Sequence, residues 1–303
     1  MEPDVIRDAD SPFGPSARAD IILRSSDKVD FYALKAFLSY SSSFFDDMFS
    51  LPSPESSSDD QLSKGGLPVI EMQEKSRPIR FLLCLCYPNS HLYLDDILEI
   101  DDIVQTMFAA EKYAADATGT YLCKKLTQCP EMIQNPLRVF AIAFRFGWDD
   151  ICRQAAKNTL SKAPDFWPFS NELVYVTGVE MYRLSQYRKK CAERLITSDK
   201  LRQLLFDDGR KNYIWWGREN HHWECGQTVS INAFVDANTH LVVQRFNAGW
   251  WEQYRDGLLH RLKACPRGTT ALDDKLLNNA IQKSKSCPAC NTLQCQSDLY
   301  NLR

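Results

Sequence analysis

The sequence predicts an α+β fold: a small β-sheet flanked by α-helices, followed by an α-helical extension and a C-terminal helical region. Three stretches carry that expectation. Residues 19–51 read as strand, strand, helix, helix; residues 68–87 read as strand then helix; and from Met132 onward apolar residues recur at helical spacing between short polar joints.

In the first stretch, Ile21, Ile22 and Leu23 form an apolar strand, and Ser25, Ser26 and Asp27 supply the turn that returns Val29 and Phe31 as a second strand. From Ala33 the period becomes helical. Leu34, Phe37 and Leu38 share one face, and Phe44, Phe45, Met48 and Phe49 form a second stripe for which Ser42 or Ser43 is the N-cap. Upstream, Met1 to Arg18 holds Pro3, Pro12 and Pro15 with scattered acids, which predicts a disordered tail (1–18) and no strand before Ile21. Downstream, PSPESSSDDQLSKGG predicts a polar surface loop. Pro68 to Met72 then returns as a strand, and Ser76 as cap and Pro78 in the first turn open a helix carrying Ile79, Leu82, Leu83 and Cys86.

The acidic run from His91 to Asp102 lacks the glycine of a calcium-binding loop and reads as a solvated edge. Helices follow through Val104, Met107 and Phe108, and from Thr118-Gly119 to Pro130. Asn135-Pro136 starts another that Gly147 closes, and Asp149 caps the next. Between Glu172 and Ile196 a further helical region places Arg188, Lys189 and Lys190 on an exposed side, the ordinary reading of a charge run.

Composition narrows the function classes. The chain has 303 residues, 44% hydrophobic and 25% charged, with a formal net charge of -3, which suits globular domains and gives no basic, aromatic-interleaved patch for nucleic acid. No apolar run approaches the roughly 18 residues of a membrane span. The start, MEPDVIRDAD, lacks the features of a secretory signal, so an intracellular protein is expected. Eleven cysteines, an odd number, fit reduced thiols and a metal site better than a disulfide framework. Cys84, Cys86, Cys123 and Cys152 sit among apolar helical residues as small buried side chains.

The segment from about Ala19 to Cys129 resembles a BTB/POZ domain, a protein-interaction module. The resemblance rests on Ala19-Asp20 before the first strand, Phe31 and Lys35 leading into Leu38, then Ser42, Phe44 or Phe45, and Met48-Phe49. Leu34 and Ser41 depart from the histidine and arginine often found there, at positions outside the hydrophobic pattern. The helical stretch 130–205 looks like the BACK extension that follows many such domains, and no internal repeat follows it. The resemblance implies a non-catalytic module, a homodimer joined through Phe37, Leu38, Phe44, Phe45 and Met48, and either a cullin-type ubiquitin-ligase adaptor or a transcription- or scaffold-associated role.

Residues 206–303 are rich in Trp, His and Cys and are similar to the C-terminal region of a large group of fungal BTB proteins: Trp215-Trp216, Trp250-Trp251 with Tyr254, Cys265-Pro266, and Cys287 to Cys290. Cys287 and Cys290 form a C-x2-C that can place two thiolates on one zinc ion, with His222 and Cys225 as the other half-site. His221, Cys265 and Cys295 are alternative ligands. Trp250, Trp251 and Tyr254 are expected in a core. The alternative reading is a zinc-dependent hydrolase or deaminase using His222, Glu224, Cys287 and Cys290. Against it, Ser286 rather than proline precedes Cys287, the intervening residues show no evident alternation of strands and helices, and Cys225 would close the site to water.

Overall fold

The computed structural model describes residues 5–51, 62–88, 99–115, 118–198, 216–217, 231–235, 242–247, 249–272 and 274–286, with the backbone alone at 216–217, 231–235, 242–247 and 271–272. The chain divides into two compact units, Met1–Cys152 and Arg153–Arg303.

The first unit is built on a five-stranded sheet of order β1-β3-β2-β5-β4. Strands β2 (Ile21–Arg24) and β3 (Val29–Ala33) form the expected hairpin, with Leu23 opposite Phe31 and Arg24 opposite Asp30. Both strands are almost wholly buried. The Ser25 hydroxyl accepts from the Val29 amide at 2.9 Å, closing a turn in which Lys28 takes a positive φ of 59°. After helices α1 (Lys35–Ser41) and α2 (Ser43–Ser50), β5 (Leu67–Glu71) lies parallel to β2.

The expected surface loop is partly strand. β4 (Ser63–Lys64) pairs antiparallel with β5 across Gly65 and Gly66. These have φ of 61° and 81°, the two left-handed positions of a tight hairpin turn that glycine occupies without strain.

The disordered tail is also corrected over residues 5–18. β1 (Arg7–Asp8) pairs parallel with β3, and the Tyr32 amide donates to the Phe13 carbonyl at 2.9 Å. Phe13 is buried against Phe31 and Tyr87, with ring centroids 6.5 and 5.2 Å apart. One buried aromatic and a few backbone bonds hold the segment where proline content predicted none.

The outer strands β1 and β4, at opposite ends of the strand order, meet through side chains because the sheet curls. Asp30 is fully buried and takes a two-pronged bond from Arg24, at 2.7 and 3.0 Å. Lys64 Nζ lies 2.7 Å from Asp30 Oδ2, an oxygen it shares with Arg24, and 2.6 Å from Asp8 on β1. Burial alone would raise the Asp30 carboxyl, but the hydrogen bonds from Arg24 and Lys64 outweigh it and hold it below the usual carboxylate range.

Helix α3 (Ser76–Cys86) fills the sheet's inner side with Ile79, Phe81, Leu82 and Leu83. Ser76 is its first residue rather than its cap. The cap comes from Asp27 in the hairpin turn, whose carboxylate accepts from the Ser76 amide and hydroxyl, each at 2.7 Å. Cys84 and Cys86 are buried thiols pushed up to about 11, hence inert. Helices α4 (Ile100–Lys112), α5 (Gly119–Gln128), α6 (Glu131–Gln134) and α7 (Pro136–Arg145) complete the unit. Asn135 caps α7 by accepting from the Arg138 amide, and Gly147 follows it with a φ of 69°. Of the acidic run, residues 91–98 lie outside the described residues. Asp102 is not solvated: it is buried and paired with Arg77 at 2.7 Å.

The second unit takes most of α8 (Asp149–Thr159), then α9 (Gly178–Ile196), α10 (Gly249–Ala264) and α11 (Asp274–Lys285). It also holds a three-stranded antiparallel sheet of order β6-β8-β7, with β6 Trp216–Gly217, β7 Ile231–Val235 and β8 Val242–Asn247. The sheet adds strands to the helical region expected here, in which the sequence reading finds no evident alternation of strands and helices: INAFV and VVQRFN are short and rich in β-branched and aromatic residues. Trp250, Trp251 and Tyr254 are core residues, with Trp251 fully buried.

Arg188 corrects the sequence reading most sharply. It is only 7% exposed, its guanidinium lies 4.8 Å over the Trp167 ring, and it donates to the carbonyls of Thr159, Lys162 and Ala264. Thr159 and Ala264 end α8 and α10, so one cation meets the negative ends of two helix dipoles. The helix period explains the inward direction: Leu184, Arg188 and Ala192 stand four apart on the buried face, whereas Lys189 and Lys190 are exposed.

Two outcomes follow from these buried charges. Asp30→Ala leaves Arg24 and Lys64 without their shared anion and should lower unfolding stability by about 3–5 kcal/mol at neutral pH, read by urea denaturation. Because the folded Asp30 carboxyl is depressed, its contribution is present above the ordinary carboxylate value and lost as pH falls through the lower, folded one. The variant's deficit should therefore shrink in acid, and an equal deficit at pH 7 and pH 2 would contradict the assignment. Arg188→Met keeps volume but orphans the carbonyls, with a loss of about 3 kcal/mol expected. Hydrogen exchange should speed up across α9 and the end of α10, while the first unit's protection stays unchanged.

Candidate interaction surface

The α1–α2 pair is anchored by hydrogen bonds at the start of α1 and at the bend between the two helices. Asp20 accepts from the Lys35 amide at 2.7 Å, opening α1, and the Tyr87 hydroxyl accepts from the Leu34 amide at 2.6 Å. Ser41 donates to the Cys86 carbonyl at 2.9 Å. Ser42 is the N-cap of α2, accepting from the Phe45 amide at 3.1 Å while its hydroxyl donates to the Tyr113 carbonyl. The bend between the helices is thus fixed to α3 and to the end of α4.

Of the five residues expected at a dimer interface, two are consumed within the chain. Leu38 is fully buried, and Phe45 is stacked between Phe49 and Tyr113, with centroids 5.9 and 5.2 Å away. A side chain already enclosed by its own fold has no surface to give a partner. Phe37, half-buried against Tyr87, and Met48, also half-buried, retain part of theirs. Phe44 is 42% exposed, its inner edge resting on Phe45 and Tyr113.

Tyr40 was not singled out from sequence and is 92% exposed on the last turn of α1. Its signal was available, since it lies outside the Leu34, Phe37, Leu38 stripe and so must face outward. Leu51, 69% exposed, follows the end of α2.

The floor beneath Phe44 is electrostatically locked. The Tyr113 hydroxyl donates to Glu74 at 2.5 Å, and Lys112 reaches the same carboxylate at 2.8 Å. Burial and the Glu74 bond push the Tyr113 phenol upward, keeping it neutral and donating. Phe44 therefore rests on a rigid aromatic base.

The proposed zinc ligands His222, Cys225, Cys287 and Cys290, with Glu224 of the enzymatic alternative, lie outside the described residues. Among the described residues, no group of three or more His, Cys, Asp or Glu could hold a metal ion. No helix among them is long and apolar enough to cross a membrane.

A short curled sheet flanked by helices, presenting apolar side chains on a fixed helical pair, defines a module for protein interaction. Residues 11–129 match the BTB/POZ domain family model, so the chain carries a BTB/POZ domain. That match begins inside the segment expected to be a tail, in keeping with the burial of Phe13. No curated protein matches the chain.

Proposed function

We propose that this chain is a non-catalytic protein–protein interaction module that self-associates through its BTB domain, two copies meeting on the α1–α2 face. The observation that carries this reading is the exposure of Tyr40 and Phe44 on helices whose backbone is pinned to α3 and α4. Apolar side chains held at fixed positions lose little freedom when covered. A second copy brings the same patch across a two-fold axis, so each aromatic meets its counterpart's neighbours. BTB domains also bind cullin-type scaffolds, and an adaptor role is the heterologous extension of this reading.

Native mass spectrometry of the full chain should give a dimer. The double variant Tyr40→Glu, Phe44→Glu should give a monomer that keeps the native far-UV circular dichroism spectrum; a dimer in that variant would refute the α1–α2 face. We further propose that Cys287 and Cys290 hold one structural zinc together with His222 and Cys225, on the strength of the C-x2-C spacing alone. Each chain should then carry one zinc ion, and changing both Cys287 and Cys290 to Ser should abolish it; unaltered metal content would sink the assignment.

A further inference from the structure

Within the second unit, residues 164–167, α9 and the last turn of α10 enclose a half-open cleft of about 450 Å³, well inside the roughly 300–1,000 Å³ typical of ligand sites. Its walls are apolar, formed by Met181, Leu184, Ala192 and Ile196. Its charge is one-sided: Arg188, Lys189 and Lys263 line it against the single carboxylate of Glu193.

None of the three cations is matched by an acid among the described residues. Arg188 gives its hydrogen bonds to carbonyl oxygens, which satisfy its donors without neutralising its charge. Lys189 and Lys263 are exposed at the cleft. The Trp167 ring lines the cleft beneath Arg188, 4.8 Å from its guanidinium.

Exposed aromatics also neighbour the lining residues in the chain. Phe166 and Phe169 flank Trp167 in the chain, and Tyr182 follows Met181; they are 77%, 82% and 65% exposed. Exposed aromatics around a cationic apolar cleft form a surface larger than a small molecule would cover.

We propose that this cleft binds a short segment of a partner protein in which a bulky apolar side chain is flanked by carboxylates. The inference rests on the reading of the chain as an interaction module and names the chemistry of a second, heterologous partner. The apolar side chain enters between Met181 and Ile196, and the flanking carboxylates meet Lys189 and Lys263. Complementary charge at an exposed rim speeds encounter and selects the partner, and the filled cleft holds it.

The test uses the full-length protein and two fluorescein-labelled peptide sets: leucine or phenylalanine alternating with glutamate, and the same peptides with lysine in place of glutamate. The acidic set should bind saturably and more weakly as salt rises, and the lysine set should not bind. Lys189→Glu with Lys263→Glu, both at exposed positions, should weaken the acidic set at least about tenfold and admit the lysine set. Equal binding of both sets, or binding unchanged in the charge-reversed variant, overturns the proposal. Binding of decanoate without either peptide set also overturns it and assigns the cleft to a small carboxylate, and binding of no probe overturns it outright. Native masses of the same samples report self-association separately, so failure of this site and failure of the α1–α2 interface are distinguishable.

Discussion

Asp30 is the carboxylate around which the first unit closes. It is the second residue of β3 and has no solvent contact, a position that would be prohibitive for an unpaired anion. Arg24 answers it from the neighbouring strand and Lys64 from β4, and Lys64 then passes on to Asp8. Charge compensation thus fixes the curl of the sheet, the location of the first residues and the register of the hairpin together. The helical pair that carries Tyr40 and Phe44 leaves from the end of β3, so its placement inherits that geometry.

The second unit uses the same device with a different counter-charge. Among the described residues Arg188 finds no carboxylate; its partners are carbonyls, two of them ending helices. Helix termini leave such acceptors unsatisfied, and one guanidinium can serve several because its donors fan out in a plane. Both units therefore spend a buried charge on fixing element ends, where apolar packing is least directional.

Elements governed by short-range pattern were legible in the sequence: the β2–β3 hairpin, the Ser42 cap, the Asn135-Pro136 helix start and the core placement of Trp250, Trp251 and Tyr254. What escaped depends on distant partners. Residues 5–18 carry little hydrophobic pattern, and their order comes from β3 and from Phe13 docking on Tyr87. The Arg24–Asp30 pair could have been found, because the hairpin register sets the two directly opposite. Arg188 was hidden by reading three adjacent cations as one exposed run, although the helical period separates the first from the other two. At the interaction surface, the sequence supplied the right helices but could not divide Leu38 and Phe45, turned inward, from Phe44 and Tyr40, turned outward. That division depends on how α1 and α2 are rotated against α3 and Tyr113.

The two-residue lengths of β1 and β4 bear on how another chain can approach the sheet. Outer strands this short offer few free amide and carbonyl groups to an incoming strand, and the lysine of β4 is a common safeguard against such pairing. Backbone-to-backbone recruitment, which accepts many sequences, is thereby discouraged. At this sheet a visiting protein is recognised by its side chains, and discrimination between visitors becomes a matter of shape and charge on the flanking helices.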